Sequence, residues 1–366
     1  MRRALADRLL RAVMGWEGDV DPQKLELVGI MNTLALYKYN QYQQYRPGLQ
    51  FIESLAIWLN QFEPDQREVA LNFIRDRLVF LSDQEMRHLV ELLFRDVIRP
   101  ILRTRVSSAL GLPAYRVSAT EESPEFGTEF KRSLFLGLSD GARIDELRRS
   151  GGLNNDQVDG SYYLGPPRAQ EMRSKMGAAF RNVFLIDDFY GSGKSVIRWE
   201  KDERWLANYE DGATPAGRLP KFLSLIGEAD FEGVFDEGVA LHICLYSATE
   251  QALLHIRKAI DEYPNPPWNQ KPAVHAALII SDRSRLICGL RDNDFDAILH
   301  EKYKADLLMN EHRRVGGDQI VHGFSDCGLS LVFAHNAPNN SVYLLWETLE
   351  PYVALFPRVD RHKAGI

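Results

Sequence analysis

Val183-Phe184-Leu185-Ile186-Asp187-Asp188-Phe189-Tyr190-Gly191-Ser192-Gly193-Lys194-Ser195 carries the strongest structural signal in the chain. Four apolar residues, two of them β-branched, predict a buried strand. Two carboxylates stand at its carboxyl end. A Gly-Ser-Gly-Lys-Ser turn follows, and Val196, Ile197 and Trp199 then read as the opening of a helix. In an open α/β sheet, ligands bind beyond the carboxyl ends of the strands, where helix N-termini present N–H groups and a positive dipole end. Glycines let the main chain approach a phosphate closely, and Ser192 and Ser195 add hydroxyl donors. Carboxylates on the same loop would repel a bare phosphate. They suit a ligand that also carries hydroxyls or a metal ion, and a ribose phosphate meets both demands.

Several readings compete for this stretch. Gly193-Lys194-Ser195 looks like the end of a P-loop, G-x-x-x-x-G-K-[S/T]. Counting back from Gly193, however, the first required glycine falls on Asp188. A Walker B reading of Ile186-Asp187-Asp188 explains the acids but not the glycine turn. The third reading is the phosphoribosyl-pyrophosphate loop of type I phosphoribosyltransferases: an apolar strand, two acids, two apolar residues and a small-residue turn ending in Thr or Ser. Asp187 and Asp188 match the acids, Phe189 and Tyr190 the apolar pair, and Gly191 to Ser195 the turn. Lys194 departs from that pattern, where a small residue is usual. It either adds charge to phosphate binding or marks a different ligand. The plain alternative is a strand–turn–helix with a solvated acidic pair.

An earlier segment has the same form. Leu134-Phe135-Leu136-Gly137-Leu138 predicts a strand, Ser139-Asp140-Gly141-Ala142 a tight turn, and Arg143 to Arg149 a short helix stopped by Gly151-Gly152. A strand, small-residue loop and helix in this order also make the pyrophosphate loop of phosphoribosyltransferases. Alternatively, Asp140 only completes a turn.

Taken with His335-Asn336-Ala337-Pro338-Asn339-Asn340-Ser341 and Leu344-Leu345-Trp346, these segments resemble the phosphoribosyltransferase-like proteins of bacterial conflict systems, found beside defence genes and some retrons. The resemblance covers about the last 250 residues and the general helical character of the first hundred. It implies an α/β fold with a mostly parallel sheet of phosphoribosyltransferase type, an N-terminal α-helical domain, and an antiviral setting with a protein partner from the same locus, such as a retron complex. It implies that Asp187 and Asp188 are the catalytic pair, accepting hydrogen bonds from ribose hydroxyls and stabilising the charge that builds at the anomeric carbon. Gly191, Ser192, Gly193, Lys194 and Ser195 would hold the 5′-phosphate, and Ser139, Asp140 and Gly141 would face a pyrophosphate. Mg²⁺ would come with the pyrophosphate ligand, with no protein ligand to the metal assigned. Whether the pocket transfers or cleaves a ribosyl group, senses a nucleotide without turnover, or is vestigial in a scaffold stays open at this point.

Composition agrees with a folded soluble protein. Of 366 residues, 45% are hydrophobic and 26% charged, ordinary globular values that leave room for two domains or one large, elaborated domain. There is no apolar run of about 18 residues, so no membrane span is expected. The N-terminal stretch alternates charge and apolar residues and lacks a signal-peptide core, and a cytoplasmic location is expected. Three scattered cysteines, Cys244, Cys288 and Cys327, read as buried thiols. With a net charge of −7, nothing makes a generally basic nucleic-acid groove; the local basic patches, Arg2, Arg3, Arg8 and Arg11 or His312-Arg313-Arg314, read first as solvated helix faces, and a partner could still bring nucleic acid.

The pattern changes near residue 105. Residues 1–105 have helical period, with a capping box at Ser82-Asp83-Gln84-Glu85 and Pro100 at a helix end or kink. Tyr37, Tyr39, Tyr42 and Tyr45 suggest an interface. Residues 106–366 alternate strands (133–138, 183–187, 239–246, 273–280, 328–334) with helices (141–149, 167–179, 193–209, 249–262), and carry an insertion near 201–235. Ser247-Ala248-Thr249-Glu250 follows a strand and either lines the same sheet edge as Asp188 or, the favoured reading, supplies Thr249 as a helix N-cap. His335, Asn336, Asn339 and Asn340, on a turn after an apolar strand, make a candidate loop for recognising a base or a partner. His322 and Asp326 lie upstream, with no spacing that marks them as metal ligands.

Overall fold

The apolar run at 183–186 lies inside a longer strand at the middle of a parallel sheet. The computed structural model describes residues 2–18, 21–200, 214–286 and 293–359. In chain order the strands are β1 (Val79–Leu81), β2 (Ser133–Gly137), β3 (Val158–Asp159), β4 (Phe180–Tyr190), β5 (Arg198–Glu200), β6 (Thr214–Ala216), β7 (Phe235–Thr249), β8 (Ala273–Ile280) and β9 (Leu331–Phe333). Five of them form one sheet in the order β3-β2-β4-β7-β8, every pair parallel. Its register sets apolar residues side by side: Leu136 opposite Leu185, Leu185 opposite Ile243, and Ile243 opposite Val274. All four are buried, as expected where both faces of a parallel sheet are covered. The fold is α/β with a parallel central sheet and a helical N-terminal region.

The chain divides into two compact units, Met86–Ile280 and Met1–Glu85 with Ser281–Ile366. The first holds the five-stranded sheet and a core built on Leu136, Leu185, Phe222 and Ile243. The first unit begins at Met86, inside the helical run Asp83–Leu92, Leu93–Ile98 and Arg99–Leu110. Arg105 Nε pairs with Glu129 at 2.8 Å within the sheet unit. Pro100 does not end that helix. The turns before it widen to i→i+5 bonding, with Arg99 N–H donating to Phe94 O, and this relieves the clash that a proline ring makes with the preceding turn.

The other unit packs the helices Arg2–Val13, Pro22–Tyr37, Phe51–Leu59 and Arg67–Arg77 with the C-terminal segment around Trp58, Phe295, Leu345 and Phe356. Trp58 Nε1 donates to Leu344 O at 2.8 Å. The strand expected at 328–334 is shortened to β9 and does not join the central sheet; it pairs in parallel with β1, Val79 opposite Leu331. Three apolar residues are too few to reveal β1 by periodicity, so its partnership was invisible in the sequence. The capping box at Ser82 forms as expected: Ser82 N–H donates to Glu85 Oε2 at 2.8 Å, and Glu85 N–H to Ser82 Oγ at 3.2 Å. Two of the tyrosines are core residues, not interface residues. Tyr39 lies 4.6 Å from the Phe51 ring and Tyr42 5.1 Å from Phe356, both buried. Cys244 and Cys327 are buried, whereas Cys288 and residues 201–213 of the insertion lie outside the described residues. Among the described residues, no helix is long and apolar enough to cross a membrane.

Candidate functional site

Chain order and strand order part company at β2. From β2 the chain goes to β3 on one side and then to β4 on the other. In open α/β sheets, the crevice at the carboxyl ends of two such strands is where ligands bind. The two loops singled out in the sequence both leave the sheet there.

After β2, Leu138 N–H still bonds to Ile186 O at 2.7 Å, so β2 stays paired with β4 to its own end. Ser139 then accepts from Gly141 N–H at 3.1 Å and donates its hydroxyl to Asp187 Oδ1. A short turn at Asp140–Ala142 follows, with Asp140 exposed, and the helix Ile144–Gly151 begins after it. Tyr246 on β7 steadies the turn by donating to Ala142 O at 2.7 Å. A Cβ at position 141 would run into Asp188 Oδ2, so a larger residue there requires the Asp188 carboxylate to move.

The two acids have different surroundings. Asp187 is 1% exposed. Its Oδ1 accepts from Ser139 and from Asp188 N–H at 3.1 Å. Its Oδ2 accepts from Tyr190 Oη at 2.5 Å and from Arg218 Nη1, which also donates to Tyr190 Oη at 2.7 Å. Burial, then the neighbouring charge of Asp188, push the Asp187 carboxyl up to about 6 against the pull of Arg218, Ser139 and Tyr190. Burial lowers the Arg218 guanidinium, but Tyr190 and Asp187 more than offset it and hold the group above its ordinary value. Asp188 is half-buried, and its Oδ1 accepts from Phe189 N–H at 2.7 Å. Asp187 is thus the anchored carboxylate and Asp188 the more accessible one.

The Gly191–Ser195 turn departs from its expected sequel. No helix opens at 193: residues 194–196 form a turn, and Arg198–Glu200 is a strand pairing antiparallel with β6. The rest of the expected helix lies outside the described residues beyond 200. Val196, Ile197 and Trp199 are β-branched or aromatic and suit extended chain. A phosphate here would therefore meet turn amides, hydroxyls and Lys194 without a following helix dipole. Gly193 has φ 76°, and a Cβ there would come within 2.9 Å of Ala252 O. Thr249 ties the turn to the next helix, Glu250–Asp261. Its hydroxyl donates to Gly191 O at 2.5 Å and accepts from Ala252 N–H at 2.9 Å, so it is an N-cap as read from the sequence. Ser192 is buried, Ser195 exposed and Lys194 intermediate.

Ser139, Gly141, Asp187 and Asp188 are therefore brought together at one sheet edge. Arg218 and Tyr190 were not singled out as site residues. In sequence, Tyr190 reads only as one member of an apolar pair. Arg218 lies 31 residues from Asp187 in the insertion, with no local pattern to mark it. His335, Asn336, Asn339 and Asn340 belong to the other unit. Asn336 Oδ1 accepts from Val359 N–H at 3.1 Å, Asn340 Nδ2 donates to Phe324 O at 3.1 Å, and Asn339 O accepts from Phe324 N–H at 2.7 Å.

A parallel α/β sheet with two ligand-type loops meeting at its switch point defines the class of the molecule. Its family is shown by direct comparison: the chain belongs to the PRTase-CE family, whose model matches residues 55–358, and it is a phosphoribosyltransferase-like protein. No curated protein and no solved structure matches the chain.

Proposed function

We propose that the crevice between β2 and β4 binds phosphoribosyl pyrophosphate or a related ribose 5-phosphate. The observation that carries this reading is the Ser139–Asp187 hydrogen bond, which joins the β2 loop to the acidic end of β4 at the switch point. In this reading the 5′-phosphate meets the turn from Gly191 to Ser195 with Lys194, and the ribose hydroxyls donate to Asp188. The pyrophosphate faces Asp140 and Gly141. Cleavage at the anomeric carbon builds positive charge on the ribose, which the two carboxylates stabilise in place. Mg²⁺ prefers oxygen donors and keeps several waters. Asp188 fits it, directly or through water, whereas Asp187 does not, because the Arg218 guanidinium already lies on its Oδ2. When bound, Mg²⁺ would offset the negative charge of the pyrophosphate.

A second reading, ligand sensing without turnover, is favoured by the same Arg218 contact, which occupies an acid that catalysis would use. The antiviral setting and a partner protein from a defence locus complete the proposal and rest on the family resemblance alone.

Calorimetric titration with phosphoribosyl pyrophosphate and Mg²⁺, beside Asp188→Asn, tests the site. Mg²⁺-dependent binding that weakens by about tenfold or more in the variant supports it, since hydrogen bonds to a charged group are strong. Absence of binding to the wild type rejects it. Pyrophosphate release in the same mixture, with candidate acceptors added, separates transfer from sensing.

A further inference from the structure

A second constellation lies in the other unit, on elements that the ribose-phosphate reading does not use. Asp296 and His300 stand one turn apart on the helix Asn293–Lys302 and share a face. His322, from the loop before β9, meets them there. Its Nε2 is 2.6 Å from Asp296 Oδ1, and His300 Nε2 is 3.8 Å from that same oxygen. Ligand atoms of the three residues all lie within 4.8 Å of one another. On the opposite side of its ring, His322 Nδ1 is 2.8 Å from Asp326 Oδ1.

We propose that Asp296, His300 and His322 bind a divalent transition-metal ion, with Zn²⁺ the best fit, and that Asp326 orients His322 from behind. Two imidazole nitrogens and a carboxylate oxygen suit Zn²⁺ and its neighbours and disfavour Mg²⁺, which prefers oxygen ligands alone. Bonds of about 2.0 Å to a tetrahedral ion set its ligand atoms about 3.3 Å apart. The observed 2.6 and 3.8 Å fall on either side of that spacing, and half-exposed His300 can adjust by rotating its side chain. His322 is 8% exposed, so its two ring nitrogens face chosen partners. A metal-bound histidine commonly gives its other ring N–H to a carboxylate, which fixes the ring and its tautomer. Asp326 holds that position.

The loop is set to present this carboxylate. Arg285 Nη2 donates to Asp326 O at 2.6 Å and Arg285 Nε to Cys327 O at 2.9 Å, while Ser325 and Asp326 keep left-handed backbone, φ 56° and 52°. Non-glycine residues adopt that conformation uncommonly, aspartate more readily than serine. Side chains of Asp296 and His300 are 37% and 51% exposed, which gives an ion a route in and leaves a coordination position to water. The ion would clip the helix to the His322 loop. The competing arrangement is a protonated His322 bridging Asp296 and Asp326, with no ion and no use for His300.

Untagged protein spanning residues 1–366, stripped with chelator and titrated with Co²⁺, distinguishes the two. We expect one equivalent to bind with visible d–d absorption bands, and Zn²⁺ to displace it. His300→Ala, a half-exposed change that spares the His322 hydrogen bonds, should abolish the bands. Asp326→Asn should keep the stoichiometry and weaken affinity about 10–100-fold. His88→Ala and Asp188→Asn should titrate as the wild type does, which separates this site from a surface histidine and from the sheet-edge crevice. Absence of stoichiometric Co²⁺ binding, equal titration of wild type and His300→Ala, or loss of the bands in Asp188→Asn would each overturn the proposal.

Discussion

Two polar turns in this molecule follow apolar strands and look alike in sequence, yet they differ in what their side chains face. At the β2–β4 edge, Ser139, Tyr190 and Arg218 converge on one buried carboxylate, Asp187. At the turn after β9, Asn336 bonds to Val359 and Ala337 main chain, and Asn340 to Phe324 O. The second pattern satisfies backbone groups that a loop would otherwise leave unpaired. The first assembles charge where an open sheet can receive a ligand. Density of polar residues does not separate the two; the identity of the partner does.

The sharpest way to break this contrast is to remove the cation. Arg218→Met should destabilise the protein by about 3–5 kcal/mol in urea unfolding, because it leaves the Asp187 charge buried without its partner. A loss below about 1 kcal/mol, the usual worth of an exposed pair, would show that Asp187 is not held as described. Next comes pH. Folding raises the Asp187 carboxyl above its unfolded value, to about 6. The native state holds that proton more tightly, so the stabilisation is complete below about pH 4 and disappears as pH rises through about 6. Across that window the wild type should lose about 3 kcal/mol relative to Asp187→Asn, and parallel pH profiles would refute the assignment. The smallest effect belongs to the other turn. Asn336→Ala should cost about 1 kcal/mol, as typical hydrogen bonds do, and leave binding of phosphoribosyl pyrophosphate unchanged. A large effect on binding would mark that turn as a recognition loop.

Much of the sheet unit was legible beforehand. Strands at 133–138, 183–187, 239–246 and 273–280 were recognisable because buried parallel strands are short apolar runs bounded by turn residues. The Thr249 cap and the Ser82 capping box were legible for the same local reason. The helix expected from 193 does not form over 193–200, because Gly-Ser-Gly-Lys-Ser suits a helix start as well as it suits a turn into extended chain. β3, with two residues, carries no periodic signal. The tyrosine stretch was ambiguous because aromatic residues serve cores and interfaces alike, and here Phe51 and Phe356 take Tyr39 and Tyr42 inside.

The sequence alone determined the parallel α/β class, the two loops and the acids at the end of β4, since each follows from local period and turn chemistry. Tertiary structure decided which acid is buried, that Arg218 reaches it, that β9 pairs with β1, and that His322 meets Asp296 from 26 residues away. Those outcomes depend on which distant surfaces pack together, and no short window of residues encodes a distant partner.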